Sequence, residues 1–127
     1  MGDRGNICVH FDKDKEVYLY THWEGSEIKE ILHRALSSEI GKNRWDDPAY
    51  LTRIIFCEMV GEKNFRGETG FGISTFICDN EYPILHIYPD DKKIREIKEN
   101  GEILDEWSFQ EFIARPQDAP ESKSTGQ

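Results

Sequence analysis

Residues 6–11, Asn-Ile-Cys-Val-His-Phe, alternate apolar and polar positions with period two, as a half-buried strand does. Asp12 to Lys15 reads as a turn, and residues 16–22 alternate again, which predicts a β-hairpin. Pairing Phe11 with Val17, Val9 with Leu19 and Ile7 with Thr21 collects the apolar side chains on one face. The other face then sets His10 beside Tyr18, Cys8 beside Tyr20 and Asn6 beside His22, with His86 and Tyr88 joining from a later strand. That face is aromatic and polar where a solvated face more often carries Lys, Glu and Thr. Two readings stand side by side: a stacking surface for a ligand, or a second layer under helices with its polar tips bonded to backbone.

Past the hairpin the period changes. Ser26 is placed as an N-cap, and Ile28, Ile31, Leu32, Ala35 and Leu36 recur at helical spacing. Residues 41–47 read as a loop. Asp47-Pro48 starts a second helix, which runs to Val60 and stops at Gly61. Its apolar positions, 49–51, 54–57, 59 and 60, cover nearly the whole circumference. This predicts a central helix or a subunit interface, with Arg53 buried beside a carboxylate or an anion. Residues 61–70 form an exposed loop. Strands follow at Phe71–Cys78, Ile84–Tyr88 and 93–98, separated by turns at 79–80 and 89–91. Asn100-Gly101 is a hairpin-type turn. Ser108 with Glu111 is a capping box that opens a short last helix. The order is β-β-α-α-β-β-β-α. This is a single α+β domain over residues 1–114, a mostly antiparallel sheet with two main helices and a short C-terminal helix. The Pro/Ser/Gln/Gly-rich tail, 115–127, is expected to be disordered.

Charge narrows the partners. Sixteen Lys+Arg against 25 Asp+Glu give a net charge of −9 over 127 residues. Residues 79–111 alone carry ten acids and four bases. Duplex nucleic acid, which needs a basic stripe, is therefore excluded as a general partner. Residues 40–66 differ, with five bases and four acids, so a small anion finds its counter-charge at Arg44 and Arg53. No apolar run reaches the ~18–20 residues of a membrane span. Three separated cysteines are expected in a reducing, cytoplasmic setting.

Candidate chemistry is sparse. Four histidines (10, 22, 33, 86) and three cysteines (8, 57, 78) show neither C-x-x-C nor H-x-x-x-H spacing, so no metal site and no cofactor are expected. The cysteines lie in apolar segments, where thiols are usually inert. Gly67-Glu-Thr-Gly-Phe-Gly-Ile-Ser74 is a glycine-rich approach to a strand, neither P-loop nor dinucleotide fingerprint, in which Thr69, Ser74 and backbone N–H groups suit a phosphate as well as a plain turn. Trp23 and Trp45 stand at helix starts, fit for stacking on a base or for closing over a small core.

Several strings carry a resemblance: Asn6 to Phe11, Val17 to Trp23, Arg44 to Cys57, Glu68 to Ser74 and Cys78 to Pro83. Over about residues 6–113 the chain resembles the Thoeris anti-defence sponges of phages and prophages. That resemblance implies a non-catalytic, oligomeric protein of the host cytoplasm that sequesters a cyclic ADP-ribose isomer or a cyclic oligonucleotide. It leaves the individual binding residues to the local reading. These are Tyr18, Tyr20, His22, Trp23, Arg44, Trp45, Arg53, Thr69, Phe71, Ser74 and Asn80. The alternatives are a small nucleotide-processing hydrolase and an acidic inhibitor that binds a defence enzyme.

Overall fold

A computed structural model describes residues 2–12 and 14–115. The expected disordered tail lies, but for Arg115, outside the described residues. Six strands form one sheet in the order β3-β2-β1-β4-β5-β6. They are β1 (Gly5–Asp12), β2 (Lys15–Thr21), β3 (Phe71–Ser74), β4 (Ile84–Tyr88), β5 (Lys93–Ile97) and β6 (Ile103–Ser108). All neighbours are antiparallel except β1 and β4 in the centre, which run parallel. The helices are α1 (Ile28–Ser37), α2 (Glu39–Lys42), α3 (Pro48–Val60) and α4 (Phe109–Ala114). The α+β class and the mostly antiparallel sheet match the sequence pattern.

The helices bury one face of the sheet. Ile28, Ile31, Leu32, Ala35 and Leu36 of α1 pack with Leu51, Ile54, Ile55 and Met59 of α3 against Ile7, Val9, Leu19, Leu85, Ile87 and Ile94. Phe109 and Phe112 of α4 join the same core. The alternate residues of each strand therefore point the other way, to a face that no helix of this core covers.

Five expectations need correction. First, the hairpin register is shifted by two residues: Val9 pairs with Val17, Ile7 with Leu19 and Gly5 with Thr21. A bulge between His10 and Asp12 tightens the turn so that Asp12 meets Lys15. A shift of two keeps every side chain on its face, so the apolar set survives while the cross-strand partners change. His10 now faces Glu16, Cys8 faces Tyr18 and Asn6 faces Tyr20.

Second, α3 is buried on one side only. Tyr50 is 54% exposed, and Arg53 and Cys57 are exposed one and two turns further on. Among the described residues Arg53 makes no ion pair; its nearest polar contact is the Cys57 sulfur at 3.9 Å. The two-layer fold offers α3 only one apolar surface, so the remainder of its apolar circumference stays outside. Third, Ser26 is not the cap of α1. A 3₁₀ turn (Gly25–Glu27) precedes the helix, and the Ser26 hydroxyl and N–H both donate to the Asp3 carboxylate.

Fourth, the 41–47 loop is preceded and partly replaced by α2, capped by Ser38, whose hydroxyl accepts from Gly41 N–H at 3.0 Å. A Cβ on Gly41 would stand 1.9 Å from the Ala35 carbonyl oxygen, so only glycine permits this reversal. Fifth, β3 ends at Ser74 instead of Cys78, and β6 is a strand that the pattern did not assign. The Asn100-Gly101 turn does its expected work, Gly101 taking φ +95° between β5 and β6. Other boundaries hold: Asp47 accepts from Tyr50 N–H at 3.1 Å, Gly61 ends α3 at φ +76°, and both bonds of the Ser108–Glu111 capping box form.

Candidate functional site

Two places gather chemistry, on opposite sides of the molecule. The first is a groove between α2 and α3 of about 290 Å³, lined by Ile40, Asn43, Arg44, Tyr50, Arg53 and Ile54. The short α2 sets Asn43 and Arg44 at its end, and the one-sided burial of α3 turns Tyr50 and Arg53 outward toward them. Arg44 lies over the Tyr50 ring, 4.9 Å from its centroid, and approaches Asp47 at 3.8 Å. The groove thus brings together the two arginines selected from the sequence. It adds Tyr50, whose exposed ring was hidden in what read as a continuous apolar helix.

The second place is the opposite sheet face, which no helix covers but where Cys8, Tyr18 and Ile84 are buried with Ile77 packed against them. Asn6, Cys8 and His10 of β1 lie between Tyr18 and Tyr20 of β2 and His86 and Tyr88 of β4. His10 Nε2 is 2.9 Å from His86 Nδ1 and 3.7 Å from Cys8 Sγ. Its other nitrogen, Nδ1, is 3.3 Å from Glu16, and the second Glu16 oxygen accepts from the Tyr18 hydroxyl at 2.9 Å. Tyr88 stacks on His10 with 4.3 Å between centroids, and Arg95 caps Tyr88 from β5.

The surroundings decide what these groups do. Cys8 is fully buried, and burial, with the Glu16 charge, pushes its thiol up to about 12. Burial and the neighbouring His10 bring His86 down to about 4, and burial lowers His10 as well. At neutral pH the cluster is therefore two neutral imidazoles and a protonated thiol. The order Cys8–His10–Glu16 imitates a nucleophile, a base and its orienting carboxylate, but a thiol that is neither ionised nor accessible does not attack.

The remaining selected residues fall apart. Tyr20 and Asn80 share a shallow depression of about 640 Å³ with Asp79 and Glu99. It is the larger hollow, but its carboxylates would repel a phosphate, so size and charge point to different places and charge decides for an anion. Tyr18 donates to Glu16 and Ser74 to the Phe76 carbonyl, both serving the sheet face. The Tyr20 hydroxyl contacts His22 Nδ1 at 2.9 Å. Trp23 meets Phe71 edge to face, 5.7 Å between centroids, and covers Gly70 so closely that a Cβ there would stand 2.2 Å from its ring. Thr69 is exposed beside them. Trp45 turns into the core, its Nε1 donating to the Leu36 carbonyl at 3.1 Å and its ring set against Phe109. The aromatic residues chosen for stacking thus do not surround the arginines.

Three comparisons bear on identity: no protein-family model, no curated protein and no solved structure matches the chain.

Proposed function

We propose that the chain binds a small phosphate-bearing nucleotide and holds it without consuming it, with Arg44 and Arg53 contacting the phosphates. One observation carries this reading. In a chain of net charge −9, two arginines line one groove that has no carboxylate in its lining, beside an exposed tyrosine. Guanidinium groups match phosphate oxygens in pairs, and the Tyr50 ring offers a flat apolar surface for a base. The resemblance supplies the ligand class, a cyclic ADP-ribose isomer or a cyclic oligonucleotide, and the setting of a phage anti-defence sponge in the host cytoplasm. Sequestration is favoured over hydrolysis because the nearest nucleophile arrangement, around Cys8, is buried and protonated.

The groove is at the lower edge of the ~300–1,000 Å³ of ordinary ligand pockets. Ile40 on its rim is 58% exposed and Tyr50 54%. A second copy of the chain laid over this rim would cover those apolar groups and deepen the pocket, so the sponge is a homo-oligomer in this reading.

The test is calorimetry with cyclic ADP-ribose isomers and cyclic oligonucleotides, followed by denaturation and recovery of the ligand. One charge-assisted phosphate contact contributes ~1.5–3 kcal/mol, roughly ten- to a hundredfold in affinity. Arg53→Ala is expected to weaken binding by at least about tenfold. Arg4→Ala, whose guanidinium is paired with Glu81 at 2.8 Å far from the groove, changes nothing. Absence of heat with every ligand, or recovery of a hydrolysed one, overturns the proposal.

A further inference from the structure

The geometry points to a second, independent site: Cys8, His10 and His86 form a three-donor centre for a divalent metal of the zinc type. The three donor atoms lie within 4.8 Å of one another. Tetrahedral zinc, with Zn–S of about 2.3 Å and Zn–N of about 2.0–2.1 Å, requires S···N near ~3.6 Å and N···N near ~3.3 Å. The Cys8–His10 S···N of 3.7 Å already fits, while the Cys8 sulfur and the His86 nitrogen, within 4.8 Å of each other, must draw closer on binding. The N···N of 2.9 Å is that of a hydrogen bond and opens by a few tenths of an ångström when a metal replaces the shared proton.

The backbone builds this convergence. Cys8 and His10 alternate on the same face of β1, two residues apart. The parallel pairing of β1 with β4 sets His86 directly beside Cys8. Central strands hold such donors more rigidly than loops do.

The surrounding shell is the stronger indication. A histidine ligand commonly gives its second nitrogen to a carboxylate, which fixes the tautomer and makes the coordinating nitrogen a better donor. Glu16 sits on His10 Nδ1 at 3.3 Å, leaving Nε2 turned to Cys8 and His86. Glu16 is in turn held by the Tyr18 hydroxyl. The Tyr88 ring, 11° from parallel with His10, restricts rotation of the imidazole.

The donor set selects the metal. Two imidazoles and a thiol suit Zn²⁺, Co²⁺ or Ni²⁺, not Mg²⁺ or Ca²⁺, which take oxygen ligands. Binding converts Cys8–SH and M²⁺ into a Cys8–S–M unit of charge +1 and one released proton.

Cobalt makes the test visible. Full-length chain carrying Cys57→Ser, which removes the exposed cysteine, is titrated with Co²⁺. The expected result is one equivalent bound with about one proton released, tetrahedral visible bands, a thiolate-to-cobalt charge-transfer band, and displacement by Zn²⁺ without further proton release. Glu16→Gln is expected to weaken binding roughly 10–100-fold while the visible spectrum keeps its shape. His86→Gln, at a partly exposed position, should abolish the charge-transfer band with circular dichroism unchanged. His33→Ala, remote from the cluster, should leave it intact. A missing charge-transfer band in the parent, or an undiminished one in His86→Gln, overturns the assignment. No nucleotide enters the assay, so its outcome is separate from that of the nucleotide reading.

Discussion

Trp45 decides between two uses of an aromatic side chain, and replacing it with phenylalanine separates them. In the structure the indole has two tasks. Its Nε1–H donates to the Leu36 carbonyl, at the end of α1 where helical donors run out. Its ring packs edge to face against Phe109, itself 1% exposed. Trp45→Phe keeps an aromatic ring but loses the donor and part of the contact. The lost hydrogen bond costs about 0.5–1.5 kcal/mol, and a carbonyl left without its partner in a part-buried place adds to that. The smaller ring forfeits roughly 40 Å² of burial, about 1 kcal/mol at ~25 cal/mol per Å². The sum is about 2 kcal/mol. For a domain of this size that lowers Tm by roughly 5–10 °C.

Trp23 provides the matched control. It is 49% exposed and packs on Phe71 without an indole N–H bond among the described residues, so Trp23→Phe should cost under about 1 kcal/mol. Urea denaturation of the two variants, followed by circular dichroism, measures the difference directly. Nucleotide affinity of Trp45→Phe, where the protein is still folded, should equal that of the parent. A Trp45→Phe protein of unchanged stability that has lost affinity would mean that the indole faces the ligand and that its placement in the core is mistaken.

Gly70→Ala should destabilise by about 2 kcal/mol or more, because φ is +101° and the new methyl would stand 2.2 Å from the Trp23 ring; thermal melting checks this, and a variant as stable as the parent refutes the contact. Asp3→Ala should cost about 1 kcal/mol, since the carboxylate accepts from Ser26 N–H, the Ser26 hydroxyl and the Tyr82 hydroxyl; faster amide exchange confined to the start of α1 and the 75–83 segment is the expected signature. Sedimentation should find a homo-oligomer that Tyr50→Glu dissociates, whereas a monomer of 14.8 kDa at micromolar concentration contradicts closure of the groove by a second copy.

Local patterns carried most of the fold. Period-two stretches became β1 and β2, the run Ile84–Tyr88 became β4, and the Ile28–Leu36 stripe became the buried side of α1. What escaped was set by tertiary context. Residues 103–108 read Ile-Leu-Asp-Glu-Trp-Ser, without alternation, because β6 is an edge strand with Ile103 and Leu104 left exposed. The bulge near Phe11 moved the hairpin register, since a one-residue irregularity leaves no trace in an apolar pattern. The burial assigned to Arg53 failed for a related reason: an apolar circumference states what a helix could bury, not how many layers the fold provides.

The histidine cluster shows where spacing rules end. Metal motifs on helices and in turns are legible because their ligands are near in sequence, at fixed offsets that the local backbone imposes. Here the distant donor is 78 residues beyond Cys8, and the two meet through a parallel pairing of β1 with β4 that spans a hairpin, three helices and β3. A parallel pair needs such a long crossover, so its register cannot be counted from a turn as a hairpin's can. Two signals were nevertheless present in the sequence: Cys8 and His10 share a parity, and so do His86 and Tyr88. An uncharged, aromatic-and-imidazole face on a central strand costs a fold more to build than a face of Lys and Thr, because each buried polar tip needs a partner. Glu16 and Tyr88 meet His10 directly, and the Tyr18 hydroxyl donates to Glu16. The arginine groove makes the opposite case. Arg44 and Arg53 were legible from charge alone, because a locally basic segment in an acidic chain stands out without any knowledge of the fold, while Tyr50 required the outer side of α3 to be known.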